Sequence, residues 1–375
     1  MNLLDKVKIL GAAGKWDACA SSSSTRKTAG TDRIGNAAAA GICHSFTENG
    51  RCVSLFKTLL TTSCSFDCKY CQNSTHCGRN PASYEPQELA KVFMHLYLGN
   101  YVEGLFLSSG IARDPNSTTQ RMLEAVKLIR QDYKFQGYVH LKVLPGTDKD
   151  LITEAGGYAD RLSINLEAPN KSRLAEISEV KDYATDILRR QEWIKELKLP
   201  SGQTTQMVVG ASDETDLEIL EAARWEYARM DVRRVYYSAF TPIEKTPLAG
   251  KDKTPAAREH SLYCVDFMMR KYGIPLAEFK DILVNDNLPV GDPKVHLARQ
   301  NFQGPVDVNE ATYDELLRVP GIGPQSAQRI INLQRSRVRI GSRSQLHSIG
   351  VVLKRADPFL KINGNRQVTL AEYFR

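Results

Sequence analysis

The amino-acid sequence predicts an α/β protein: a parallel sheet curled into a partial (βα)6 barrel, followed by a small all-α module. A strand-then-helix rhythm running from about Val53 to Tyr272 is the first observation. The second is a Pro-, Asp- and Asn-rich stretch, 285–304, followed by a compact helix–turn–helix pattern. The third is positional. Residues able to do chemistry fall just after the strand candidates, where parallel barrels carry their sites.

The strand candidates are apolar runs at 53–61, 105–109, 138–144, 162–166, 205–209 and 235–240. Helical periodicity separates them. Met122, Val126 and Ile129 share a face over 118–133. Ile187, Ile194 and Leu197 do so over 182–197, and Leu217, Leu220 and Ala223 over 213–229. A last helix covers 256–272. The domains are therefore a Cys-containing N-terminal extension of loops and short helices (1–52), the barrel (53–284), a linker (285–304) and a helical module (305–375).

Composition bounds the answer. Hydrophobic residues are 42% and charged residues 25%, an ordinary globular balance. No apolar run approaches the ~18 residues of a membrane span. Asp5, Lys6 and Lys8 interrupt what a signal peptide would need as its apolar core. A cytoplasmic location is expected, and eight cysteines there point to metal or redox chemistry before disulfides. The net charge of +7 is uneven, because residues 305–375 hold 11 Lys and Arg against 6 Asp and Glu. A basic C-terminus suits a polyanionic partner.

Cys64, Cys68 and Cys71 put three thiolates within eight residues, at C-x3-C-x2-C. A short loop can wrap them around one cubane cluster. Four thiolates would saturate it, and three leave one iron open for a substrate or cofactor. Tyr70, beside Cys71, can cover a bound planar group. Zinc normally takes four ligands, and no clean second pair is present. Cys19, Cys43 and Cys52, which precede the triad with irregular spacing, are candidates for a second metal or Fe–S site. Cys77 and Cys264 are isolated. Either could return a hydrogen atom to a product radical if it faced the barrel mouth.

The triad, with its aromatic before the last Cys, resembles the radical S-adenosylmethionine (radical SAM) superfamily signature. That resemblance implies a [4Fe–4S] cluster whose open iron binds S-adenosylmethionine. It also implies reductive cleavage to methionine and a 5′-deoxyadenosyl radical, and an electron donor such as a flavodoxin or ferredoxin. Ser108 and Ser109, with Gly110, resemble the motif after strand two that meets the methionine amino group, although the Glu that often ends it is missing. Asn165 and Glu167 resemble the strand-four positions that contact ribose or methionine carboxylate. Gly210 resembles the strand-five glycine that lets backbone approach adenine.

In the C-terminal module a helix over 311–318 leads through Val319-Pro320-Gly321-Ile322-Gly323 into a helix opened by Pro324. Gly321 and Gly323 expose backbone N–H groups at a helix N-terminus, a ready anion site, and Arg329 and Arg335 begin a basic stretch beside it. The segment 306–333 resembles the helix-hairpin-helix motif of DNA-binding and repair proteins. A degenerate second copy follows at 346–356. The whole chain resembles radical SAM proteins of DNA modification or repair that end in this motif. Gly41-Ile42-Cys43-His44-Ser45, Asp160-Arg161-Leu162-Ser163 and Val235-Tyr236-Tyr237-Ser238 are among the segments that carry this likeness. The resemblance implies an enzyme that modifies or repairs DNA. A tRNA- or RNA-modifying enzyme and a non-catalytic Fe–S DNA-binding protein are the alternatives.

Overall fold

The structure, a computed structural model, describes residues 1–17, 41–46, 52–78 and 80–366. Cys19 lies outside them. The chain packs as two compact units, 1–214 with 221–255 and 215–220 with 256–375.

In chain order the barrel region contains α1 (Leu3–Ala13), β1 (Ile42–Phe46), β2 (Cys52–Leu59), α2 (Pro86–Leu98), β3 (Gly104–Ser108), α3 (Pro115–Lys127) and β4 (Tyr138–Lys142). It continues with α4 (Lys149–Tyr158), β5 (Arg161–Ser163), α5 (Lys171–Ile177), α6 (Arg189–Glu196), β6 (Gln203–Val209), α7 (Asp216–Arg229) and β7 (Val232–Ala239). The seven strands form one sheet in sequence order. β2 to β7 are all parallel, which gives the curled half-barrel the sequence predicts. All six predicted strands form.

β1 is an addition to the predicted set, in a segment expected to be loops and short helices. It pairs antiparallel with β2, from Ile42 opposite Phe56 to Phe46 opposite Cys52. The pairing satisfies backbone groups that would otherwise stand open on the edge of β2.

Burial explains the strand sequences. Every residue of β3 is buried, as expected of a parallel strand covered on both faces. β6 begins Gln203-Thr204-Thr205-Gln206, and all four are also buried. Hydrogen bonds permit this. Thr205 Oγ1 donates to Ile164 O at 2.8 Å, and Gln206 Nε2 to Trp16 O at 3.0 Å. The second bond ties the segment after α1 to the barrel. Helix starts follow the local sequence. α2 opens with a reciprocal Glu85–Glu88 capping box and Pro86, and α3 with the Asp114 cap and Pro115.

The second unit adds α8 (Ala256–Phe267), α9 (Leu276–Lys280) and α10 (Pro293–Asn301). β8 (Val306–Asp307), α11 (Tyr313–Arg318), α12 (Pro324–Arg335), α13 (Arg343–Ser348) and α14 (Leu353–Ala356) follow, and β9 (Leu360–Ile362) and β10 (Asn365–Arg366) end it. Its core joins both hairpins through Leu316, Leu317, Ile322, Ile330, Leu346 and Val351. A three-stranded sheet, β10-β9-β8, clasps the ends of this helical module. Among the described residues no helix is long and apolar enough to cross a membrane.

One buried polar cluster lies between β6, α6 and α7. Gln191 Nε2 donates to Glu226 Oε2 at 2.8 Å. Oε1 of Gln191, Gln203 and Glu226 is buried without a partner. Burial pushes the Glu226 carboxyl up to about 8, against the opposing Gln191 bond. A proton there turns a surplus acceptor into a donor. An acid that binds its proton more tightly when folded loses stability as pH rises from the unfolded pKa, about 4.3, to the folded one. Glu226→Gln is therefore expected to melt above the wild type at about pH 9 and together with it at about pH 4. Thermal melts across this range check it, and identical profiles for both chains would contradict it.

Candidate active site

The triad lies on the loop that follows β2, and that loop is fixed by backbone bonds on both sides. Gly110 N–H donates to Thr61 O at 2.8 Å, and Ser65 N–H to Ile111 O at 2.7 Å. On the other side Asp67 accepts from Ser178 Oγ at 2.7 Å and from Glu179 N–H at 2.8 Å. Gly110 is glycine for a steric reason: a Cβ there would stand 2.4 Å from Ser63 O. The segment after β3 thus presses directly on the cysteine loop. Backbone N–H groups already point at two sulfurs, Ile111 at Cys64 Sγ (3.5 Å) and Asn73 at Cys71 Sγ (3.4 Å).

Cys64, Cys68 and Cys71 line one cavity at the C-terminal ends of the strands, with Tyr70, Ser108, Ser109, Asn165 and Glu167. Eight of the nine residues predicted for the cluster and its cofactor therefore meet there. Gly210 is the ninth, and it is not among the lining residues. It makes the turn after β6 at φ +85°, with its N–H bonded to Glu214.

The electrostatics of the cavity centre on a buried pair. Lys181 Nζ and Glu167 Oε1 are 2.9 Å apart, with side chains only 6% and 8% exposed. Glu167 sits at φ +66°, rare for a residue with a Cβ. Its N–H to Gln206 O (2.9 Å) and its O from Val208 N–H (2.8 Å) hold it to β6. The Lys181 charge also acts on Cys68 and favours its thiolate, and the Glu167 charge acts on the Tyr70 phenol. Burial pushes the Cys68 and Cys71 thiols up, and mutual repulsion of the thiolates adds to the rise. Burial and then Glu167 push the Tyr70 phenol up.

A second polar group faces the same cavity. Lys142, 3.1 Å from Asp17 Oδ1, also donates to Asn165. Burial would raise the Asp17 carboxyl, but Lys142, Lys57 and a Ser108 hydrogen bond hold it below the usual range. Lys142 ends β4, and neither it nor Asp17, Lys181 or Gln206 was among the site residues expected from the sequence. Gln206 carried a signal, as a polar residue inside an apolar strand. Asp17 and Lys181 lie in connecting segments and carried none.

The donor set fits a [4Fe–4S] cluster. Each thiolate of a cubane bonds its own iron, so three ligate three irons. Among the described residues no fourth cysteine lines the cavity, and Cys19 lies outside them. Among the described residues no three Cys, His, Asp or Glu converge on a single ion. A cubane does not need such convergence, since its thiolates bind at separate corners. Cys43 stands opposite Leu55 and Cys52 opposite Phe46 on the β1–β2 pair. Cys77 is buried with Sγ 3.6 Å from Cys71 O, and neither it nor Cys264 lines the cavity.

In the second unit, Gly321 turns at φ +85°, and a Cβ there would stand 2.5 Å from Val352 O. Gly323 caps α12 and Pro324 opens it. The N–H groups of Gly323 and Gln325 have no partner among the described residues. The degenerate copy is a true helical hairpin, α13 and α14 joined through Gly350 at φ +92°. Arg335 and Arg337 are exposed, and among the described residues neither side chain has an ion-pair or hydrogen-bond partner. Arg329 is exposed but spends Nη1 on Ile349 O at 3.0 Å, bracing the second turn against the first hairpin.

Comparison with known proteins agrees with this geometry. Residues 58–225 match the Radical SAM superfamily model, and residues 301–354 the helix-hairpin-helix motif model. No curated protein matches the chain. Solved structures similar to it include methylornithine synthase (PylB), at 15% identity and TM-score 0.48 over 56% of this chain and 60% of that one. They also include HydG, a maturase of the [FeFe]-hydrogenase, at 12% identity and TM-score 0.48 over 83% of each chain. The chain thus spans less than two thirds of the methylornithine synthase it matches.

Anaerobic reconstitution is expected to load about four irons per chain. Gly110→Ala, by pushing the cysteine loop outward, is expected to lower that number, and an iron-to-protein ratio equal to wild type would contradict the clamp.

Proposed function

We propose that this radical SAM enzyme, with a [4Fe–4S] cluster and S-adenosylmethionine as its cofactors, modifies or repairs DNA. The observation that carries the reading is that one chain joins the three-cysteine cavity to a double hairpin with free backbone donors and unpaired arginines.

The chemistry supplied by the bound cofactors is reductive cleavage to methionine and a 5′-deoxyadenosyl radical, which takes a hydrogen atom from its target. The protein's own part is placement. Cys64, Cys68 and Cys71 hold three irons. Lys181 balances thiolate charge beside Cys68 and holds Glu167. Ser108, Ser109, Asn165 and Glu167 give the wall hydrogen-bonding groups for an amino acid or a ribose, and Tyr70 gives a ring for a planar group. Phe66 and Phe240, also in the lining, keep part of the wall apolar, which limits water around a reactive intermediate.

The second unit acts on the polymer. Hairpin N–H groups and Arg335 grip phosphates without reading sequence. A base stacked in a duplex is out of reach of a barrel cavity, so the target nucleotide is single-stranded, damaged or flipped out.

The reading is tested by quantifying 5′-deoxyadenosine from reduced, reconstituted protein with no polymer, with DNA and with matched RNA. Production is expected to rise most with DNA. A larger rise with RNA would move the substrate to RNA, and no rise with either would overturn the reading. In a binding assay Arg335→Gln is expected to reduce the salt dependence by about one phosphate contact. An unchanged slope would remove Arg335 from the interface.

A further inference from the structure

The turn between α11 and α12 is held from behind at two consecutive carbonyls. Gly321 O accepts from Val352 N–H at 2.9 Å. Ile322 O accepts from Lys294 Nζ at 2.6 Å. Lys294 stands in the first turn of α10, 6% exposed, with its ammonium 4.7 Å from the centre of the Tyr272 ring.

This bond fixes a direction. A trans peptide is planar, so its C=O and the following N–H point opposite ways. Drawing the Ile322 carbonyl toward Lys294 turns the Gly323 N–H away from it. That N–H and the next one, on Gln325, have no partner among the described residues.

Lysine is a costly choice for this position. A side chain that rarely enters the interior is buried here, and a lone carbonyl could be satisfied by a neutral donor. Burial pulls Lys294 down to about 7, the Arg355 charge adds to the fall, and Asp292 opposes it. Asp292 is itself paired with Arg355. Below about pH 7, where Lys294 keeps its proton, it offers a charge that a neutral donor lacks. Set against the carbonyl end of the Ile322–Gly323 peptide, it polarises the unit and makes the N–H at the other end a stronger donor to an anion.

We propose that Lys294 is a positioning residue for phosphate: it holds the Ile322–Gly323 peptide with its N–H outward and strengthens that donor for a nucleic-acid backbone. The inference rests on the nucleic-acid reading above and adds to it a residue outside the hairpin itself.

The test compares full-length wild type, Lys294→Met and Lys294→Arg, each checked by thermal melting, for binding to a short DNA duplex. Lys294→Met keeps an unbranched chain against Tyr272 and removes the charge. At about pH 6, where Lys294 is protonated, it is expected to bind about tenfold more weakly, the loss of one charge-assisted hydrogen bond. Lys294→Arg is expected to recover most of that loss. A folded Lys294→Met protein with wild-type affinity would overturn the proposal, and so would equal losses in both variants, which would mark a purely structural role. Should Lys294→Met fail to fold, the Gly323 amide of the wild type decides. Its NMR signal is expected to shift on adding duplex, and an unmoved signal in a protein that binds would overturn the proposal. Wild type that binds neither DNA nor RNA would remove the nucleic-acid reading, and this inference with it.

Discussion

Three thiolates cannot share a buried cavity without positive charge among them. Cys64, Cys68 and Cys71 line one cavity, and burial and mutual repulsion drive Cys68 and Cys71 away from ionisation. The surroundings supply part of the remedy. Lys181, almost wholly buried, sets its charge against the rise at Cys68 and pairs with Glu167. A bound [4Fe–4S] cluster would supply the rest. Much else in the barrel serves this arrangement. Gly110 lets β3 press on the cysteine loop, Asp67 anchors its far side, and the strained Glu167 keeps a carboxylate at the wall. Strain at a residue with a Cβ persists only where its surroundings overdetermine it, and here β6 does so from both faces of the peptide.

The parallel sheet was legible because each strand is covered on both faces and so reads as an apolar run. β6 was legible from its second half alone. Its buried Gln and Thr residues look like surface until their hydrogen bonds to Ile164 and Trp16 are known. β1 carries no comparable signal, since a short edge strand is defined by its partner rather than by its own sequence. The cysteine triad was legible because its ligands are local in sequence. Lys181 and Asp17 were not, because only the fold brings them to the cavity. Gly210 is the one predicted cofactor residue outside the cavity lining. A glycine after the fifth parallel strand resembles a cofactor contact, yet its positive φ and the Glu214 bond are what the turn itself requires.

The second unit follows the same division. Gly321, Gly323 and Pro324 announce the hairpin by turn chemistry alone, and the one-glycine copy around Gly350 does form a second hairpin. What the sequence could not say is how the turns are supported. Val352 and Lys294, distant in sequence, bind consecutive carbonyls of the first turn, and Arg329 reaches back to the second. The two carbonyls are bonded within the same unit, and the Gly323 and Gln325 N–H groups have no partner among the described residues.

The central claim is that three cysteines of this chain hold the cluster and leave one iron without a protein ligand. Mössbauer spectroscopy of protein reconstituted with iron-57, with and without S-adenosylmethionine, tests it most directly. The account predicts that one iron in four changes its signal when S-adenosylmethionine is added, while the other three stay as they were. Four irons that do not respond, in a protein with a complete cluster, would contradict it.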